Sequence, residues 1–138
     1  MIQRIQTIYL LLVTIACLAY IFVPFGGIKT PEGAIEIWSI KKVVPIMAAA
    51  IAVAVVAFAA IFLYTNRKLQ LKVVLLNIVL SFVLITLFFY GLTQHIGIKN
   101  YVFKIGAILP VFVLFFNILA YGAIKSDENL VKSMDRLR

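Results

Sequence analysis

Few side chains in this sequence could do covalent or metal chemistry, and they do not fall into constellations. Its one histidine, His95, follows Thr93 and Gln94, with no Cys, Asp or Glu beside it. Zinc takes at least three protein ligands, so His95 reads as an interfacial polar residue rather than a metal ligand. The serines Ser39, Ser81, Ser126 and Ser133 show no spacing that pairs any of them with that histidine, so no nucleophile–base arrangement is legible. Cys17 is the only cysteine and has no partner for an internal disulfide. A lipoprotein acceptor at Ile15-Ala16-Cys17 is disfavoured by Thr14, where such motifs carry leucine, and by the apolar run that continues past it. All five acids, Glu32, Glu36, Asp127, Glu128 and Asp135, lie outside the apolar runs and read as water-facing. The expectation is a protein that is not an enzyme, with no catalytic residue, metal or cofactor.

The informative polar side chains are amides. Asn77 stands five residues beyond Lys72, with Ser81 one helical turn further on the same face. Asn117 stands eight residues before Lys125, with Tyr121 one turn later. At about 1.5 Å per residue the two amides lie about 7 and 12 Å inside the same membrane face. An amide in hydrocarbon wants a partner, and an interhelical hydrogen bond supplies one at about 0.6–2 kcal/mol. The simpler expectation is a clasp of Asn77, Ser81, Asn117 and Tyr121 between antiparallel helices. The sharper one is part of a pocket for a headgroup or solute.

The elements that must carry these residues follow from composition. The 138-residue chain is 64% hydrophobic and 13% charged, with a mean hydropathy of +1.12. A soluble fold of this size could not bury that much apolar surface. Four runs contain no Asp, Glu, Lys or Arg: 5–28, 43–66, 73–98 and 105–124. Each holds the ~20 residues that a helix needs to cross a ~30 Å hydrocarbon core. Barrel strands, at about 10 alternating residues, do not fit. Run 5–28 is too long for the apolar stretch of a cleavable signal, and no small-residue site closes it, so it is retained as a span. The fold class is therefore all-α integral membrane, a four-transmembrane-helix up-down bundle forming one domain.

Orientation follows the basic residues in the flanks. With the N-terminus inside, eight fall on the cytoplasmic side (Arg4, Arg67, Lys68, Lys72, Lys125, Lys132, Arg136, Arg138) and five outside (Lys29, Lys41, Lys42, Lys99, Lys104). Arg4, Arg67, Lys68 and Lys72 are the expected topology determinants, and both termini are expected in the cytoplasm. The net charge of +8 is explained by this placement, so no nucleic-acid partner is expected. Tyr9, Tyr64 and Tyr121 fit an inner aromatic belt, and Trp38, Tyr90 and Tyr101 an outer one. In the outer loop 26–42, Thr30-Pro31-Glu32-Gly33 reads as a type I turn. The alternation of Ala34-Ile35-Glu36-Ile37 fits a small hairpin as well as it fits a plain interfacial loop. Small residues four apart, Ala48/Ala52 and Ala50/Ala54, predict close helix packing inside one bundle, or a dimer seam. Phe82, Phe88, Phe89, Phe112, Phe115 and Phe116 read as lipid-facing or interhelical filler. Pro110 is expected to kink the fourth helix by depriving the Gly106 carbonyl of its donor.

The segment 126–138 reads as a separate cytoplasmic amphipathic helix. Ser126 is its expected N-cap, Asp127 and Glu128 sit in its first turn, and Glu128/Lys132 form an i,i+4 pair. Leu130, Met134 and Leu137 share one stripe. Thirteen residues are marginal for a helix alone in water, so the stripe is expected to dock. Four basic residues against three acids in 125–138 favour a protein partner, with Asp135 and Arg136 in salt bridges, over an anionic lipid surface.

Three segments also resemble a catalogued family: the opening Met1-Ile2-Gln3-Arg4-Ile5-Gln6-Thr7-Ile8-Tyr9-Leu10, the connection Asn66-Arg67-Lys68-Leu69-Gln70, and the tail from Asp127-Glu128 through Leu130-Val131, Ser133 and Asp135-Arg136-Leu137-Arg138. They are similar to a family of short bacterial four-span proteins, domain of unknown function 4293. The resemblance covers essentially the whole chain and implies a Bacteroidota inner membrane. It implies no activity, substrate or catalytic residue. The functional expectation is a small accessory or scaffolding subunit of the inner membrane, touching membrane lipids and a membrane-protein partner or a second copy of itself. The alternative is a small transporter or channel for a lipid or neutral solute, and an enzyme acting on lipids comes third.

Overall fold

A computed structural model of the chain describes residues 3–29, 33–96 and 101–136. Four long helices dominate it: α1 (Gln3–Phe22), α2 (Val44–Phe62), α3 (Arg67–Gly91) and α4 (Leu109–Arg136). All four are long and apolar enough to cross a membrane. They run up and down in a closed square, α1 against α2 and α4, α3 against α2 and α4. Three short strands, β1 (Gly26–Lys29), β2 (Ile35–Trp38) and β3 (Tyr101–Phe103), form an antiparallel sheet in the order β2-β1-β3. The sheet caps the end of the bundle opposite the chain termini. Of the two expectations for 34–37, the hairpin is the one that forms, with Gly27 opposite Ile37 and Ile28 opposite Glu36. Gly33 enters β2 at φ +81°, a conformation that favours glycine. The third strand was not expected.

The buried positions of every helix advance by alternating steps of four and three. They are Gln6, Leu10, Val13, Cys17 and Tyr20 in α1, and Ile46, Ala50, Val53, Ala57 and Ala60 in α2, where Ala54 is buried in addition. In α3 they are Gln70, Val74, Asn77, Ser81, Leu84, Phe88 and Gly91, and in α4 Val113, Asn117, Ala120, Ile124 and Asp127. This 3.5-residue repeat is that of a left-handed helical bundle with interlocking side chains. The alanines divide accordingly: Ala50 and Ala54 are buried, whereas Ala48 and Ala52 face outward. Among the phenylalanines Phe88 is buried, and Phe82, Phe89, Phe112 and Phe115 point out of the bundle.

Several boundaries differ from the apolar runs. α1 stops at Phe22, because Pro24 has no N–H for the helix and residues 26–29 pair as β1 instead. α3 starts at Arg67, six residues before its run, since Asn66 accepts from the Leu69 N–H at 3.3 Å and so caps the helix there. Beyond Gly91 a π-helical turn, Leu92–Ile96, ends the described part of that run. Pro110 does not kink α4. A 3-10 turn, Ile105–Ile108, precedes the helix, Pro110 falls in its first turn, and the Gly106 carbonyl accepts from the Leu109 N–H. The tail is no separate helix either: α4 runs without a break through Ser126 to Arg136. No glycine or proline lies between Ala123 and Arg136, so continuing the ladder satisfies carbonyls that a new N-cap would strand. Thr30, Pro31 and Glu32 of the expected turn, Leu137 and Arg138, and the side chains of Arg4, His95, Asp135 and Arg136 lie outside the described residues.

Candidate functional site

Among the described residues the buried amides, the buried Ser81 and the buried Asp127 lie from the middle of the bundle toward the termini, whereas Tyr20 buries its hydroxyl at the sheet end. Asn77 and Ser81 on α3 meet Asn117 on α4, all three fully enclosed. Asn77 Nδ2 donates to Asn117 Oδ1 at 3.0 Å, and Asn117 Nδ2 donates to Ser81 Oγ at 3.0 Å. Ser81 Oγ donates in turn to the Asn77 carbonyl at 2.8 Å, which closes the network on α3. α3 and α4 pack against each other, and the four-three stepping of both faces sets these side chains opposite each other. Tyr121 takes no part in this network. It packs beside Leu10, Ala120 and Ile124, with the Lys125 ammonium 5.9 Å from its ring centre.

Three buried polar residues escaped the sequence reading. Gln6 donates to the Ala123 carbonyl at 3.3 Å, tying α1 to α4, and Gln70 donates to the Ala60 carbonyl at 3.0 Å, tying α3 to α2. Asp127, expected to face water, is buried and paired with Arg67 (Nη2 to Oδ2, 3.3 Å). The signal was present as spacing: Gln70, Asn77 and Ser81 lie seven and four apart, and Asn117 and Asp127 ten apart, all steps of the buried repeat. Gln70 Oε1 and Asn77 Oδ1 are buried and accept no hydrogen bond among the described residues.

Beyond Asp127, α4 leaves the bundle. Its 28 residues span about 42 Å, against about 30 Å for the 20 residues of α1. The face continuing the buried repeat is Ile124, Asp127 and Val131, so Leu130 (48% exposed) and Met134 (61%) point away from the protein. Glu128 and Lys132 pair at 2.8 Å along the helix. Beside this extension lies an open cleft of about 750 Å3, walled by the α2–α3 connection (Tyr64, Thr65, Asn66, Arg67, Lys68) and by Glu128, Val131 and Lys132 of α4.

The sheet end contrasts with this one. Tyr20, Phe25, Ile46, Leu84, Phe88 and Leu92 form an apolar plug under the strands. The Phe25 carbonyl accepts from the Lys104 N–H at 3.2 Å and from the Tyr101 hydroxyl at 2.6 Å. Burial pushes the Tyr101 phenol up to about 12, so it remains a donor at neutral pH. Gly106 lies so close to Pro24 that a Cβ there would stand 2.6 Å from the Pro24 carbonyl oxygen.

No group of three side chains able to hold a metal ion occurs among the described residues. A sequence model of the family described as Domain of unknown function (DUF4293) matches residues 2–137. No curated protein and no solved structure matches the chain.

Proposed function

The chain belongs to the DUF4293 family, and on that premise we propose that it is a small, non-catalytic accessory or scaffolding subunit of the bacterial inner membrane. Its work is to present the α4 extension to a membrane-protein partner. The observation that carries this reading is the exposed Leu130–Met134 face on a helix that continues unbroken from the bundle. A helix of this length alone in water would be marginal. As the continuation of a transmembrane helix it is nucleated in advance, so a partner would meet an ordered apolar face at little ordering cost. The seam between α3 and α4 is closed by fully buried side chains, which suits a scaffold better than a conduit. The eight-to-five distribution of basic residues supports a cytoplasmic position for the extension.

The test is co-purification in mild detergent of the wild type and of Leu130→Asp combined with Met134→Asp. The variant should lose a stoichiometric partner and keep its melting temperature. A full set of retained proteins would sink the proposal. In that case the transporter reading gains, because the buried acceptors Gln70 Oε1 and Asn77 Oδ1 could take hydrogen bonds from a neutral solute. Solute flux through vesicles of the purified protein would then be the discriminating assay.

A further inference from the structure

Cations at the start of α3 stand where helix stability disfavours them. The positive end of a helix favours Asp or Glu, yet α3 opens with Arg67 and Lys68 and has no acid in its first turn. Lys72 follows Lys68 at i+4, a repulsive spacing for like charges. Asp127 answers Arg67, but among the described residues neither Lys68 nor Lys72 forms an ion pair. Lys68 instead lines two clefts: the large one with Arg67, Lys132 and Glu128, and a second of about 260 Å3 with Asn66, Leu69 and Lys72. Basic loops that fix orientation act during insertion and need no cavity. Here the same residues wall one: Arg67 is answered by Asp127 and Lys132 by Glu128, which leaves the Lys68 ammonium as the cation in excess.

The residues that flank the large cleft in sequence narrow what fills it. The apolar part of α2 ends at Phe62; Phe62 and Leu69, which flank the cleft-lining stretch 64–68 in sequence, are exposed, and Tyr64 lines the cleft. Along the chain the apolar end of α2, the aromatic Tyr64 and the basic pair Arg67-Lys68 follow one another, in the order of acyl chain, glycerol and phosphate in a lipid leaflet. We propose that the cleft between the α2–α3 connection and α4 binds the phosphate of an anionic phospholipid. Lys68 and Lys132 contact the phosphate, and Arg67, held by Asp127, forms the fixed wall behind it. Glu128 opposes the bound charge and limits the affinity. The site is independent of the Leu130–Met134 face, which points away from the protein.

Full-length protein in nanodiscs of phosphatidylcholine with a minor share of phosphatidylglycerol provides the test, with native mass spectrometry counting the lipid retained. Wild type should keep phosphatidylglycerol in preference to phosphatidylcholine. Lys68→Gln with Lys132→Gln should weaken retention about fivefold per lysine, the equivalent of ~1 kcal/mol each. Glu128→Gln should act in the opposite direction and strengthen it. Unchanged melting temperatures in pure phosphatidylcholine confirm that the variants are folded. Added inorganic phosphate should leave the retained phosphatidylglycerol in place. Displacement of the lipid by phosphate would assign the cleft to the free ion and overturn the proposal. So would equal retention by wild type and the double variant, or a variant that keeps the lipid but loses a bound protein.

Discussion

At the sheet end the bundle closes on Tyr20, Phe25, Leu84 and Phe88; at the termini end it closes on Gln6, Gln70, Asn77, Asn117 and the Arg67–Asp127 pair. Both ends use the same four-three stepping, so the difference lies in what each can specify. Lipid tails are as apolar as leucine, and apolar contacts between helices discriminate weakly among registers within a membrane. A polar residue at a buried position does discriminate, because slipping the helices strands its partner. The sheet end needs no such device, since strand pairing and the Phe25 carbonyl already fix it from outside the hydrocarbon. At the termini end no sheet is available, and the amides set the register of α4 against α3. They thereby set the angle at which the α4 extension emerges.

This contrast can be broken most severely from the sheet end. Gly106→Val should cost about 1–3 kcal/mol, toward the upper limit because the clash is with Pro24 backbone rather than a movable side chain. Thermal unfolding in detergent would register the loss, while the α3–α4 seam should survive in whatever fold remains. Next in size is the seam itself. Asn117→Leu leaves Asn77 Nδ2 without its acceptor and should cost about 1–2 kcal/mol. Adding Asn77→Leu should recover part of that loss, since removing both partners strands fewer groups than removing one. Strictly additive losses in that double-mutant cycle would mean that the amides do not work as a pair. Tyr101→Phe should cost less, about 0.5–1 kcal/mol, because the Phe25 carbonyl keeps the Lys104 N–H. The sign with pH is defined. Burial raises the Tyr101 phenol to about 12, so its contribution is whole below pH 10 and fades as pH rises toward 12. Unfolding scans across that window should lose a smaller increment of stability in the phenylalanine variant.

The four spans were legible because a run of twenty uncharged residues is a signal of solvent rather than of packing. Their ends were not, for the same reason. The run 5–28 could not show that residues 26–29 would pair as a strand, and β3 exists only because β1 offers it an edge. The run 73–98 began too late because Arg67, Lys68 and Lys72 are good helix formers that the absence of charge screens out. Asn77, Ser81 and Asn117 could be read as candidates because amides are conspicuous in hydrocarbon. Gln70 and Asp127 sit among charged neighbours and Gln6 at the very start of its apolar run, where the buried repeat alone distinguishes them. Ser126 misled because its type suits a cap, but a cap forms only where the preceding helix has ended.

Reactivity at the α4 extension tests the central claim most directly. On a Cys17→Ala background, a single cysteine at position 130 or 134 should react readily with a water-soluble maleimide in vesicles of purified protein, where both side chains are exposed. In fragments of the native membrane, opened so that both faces meet the reagent, the same cysteines should be protected, because a partner covers them. Equal reactivity in the two preparations would contradict the account, since lipid is present in both and only the partner differs.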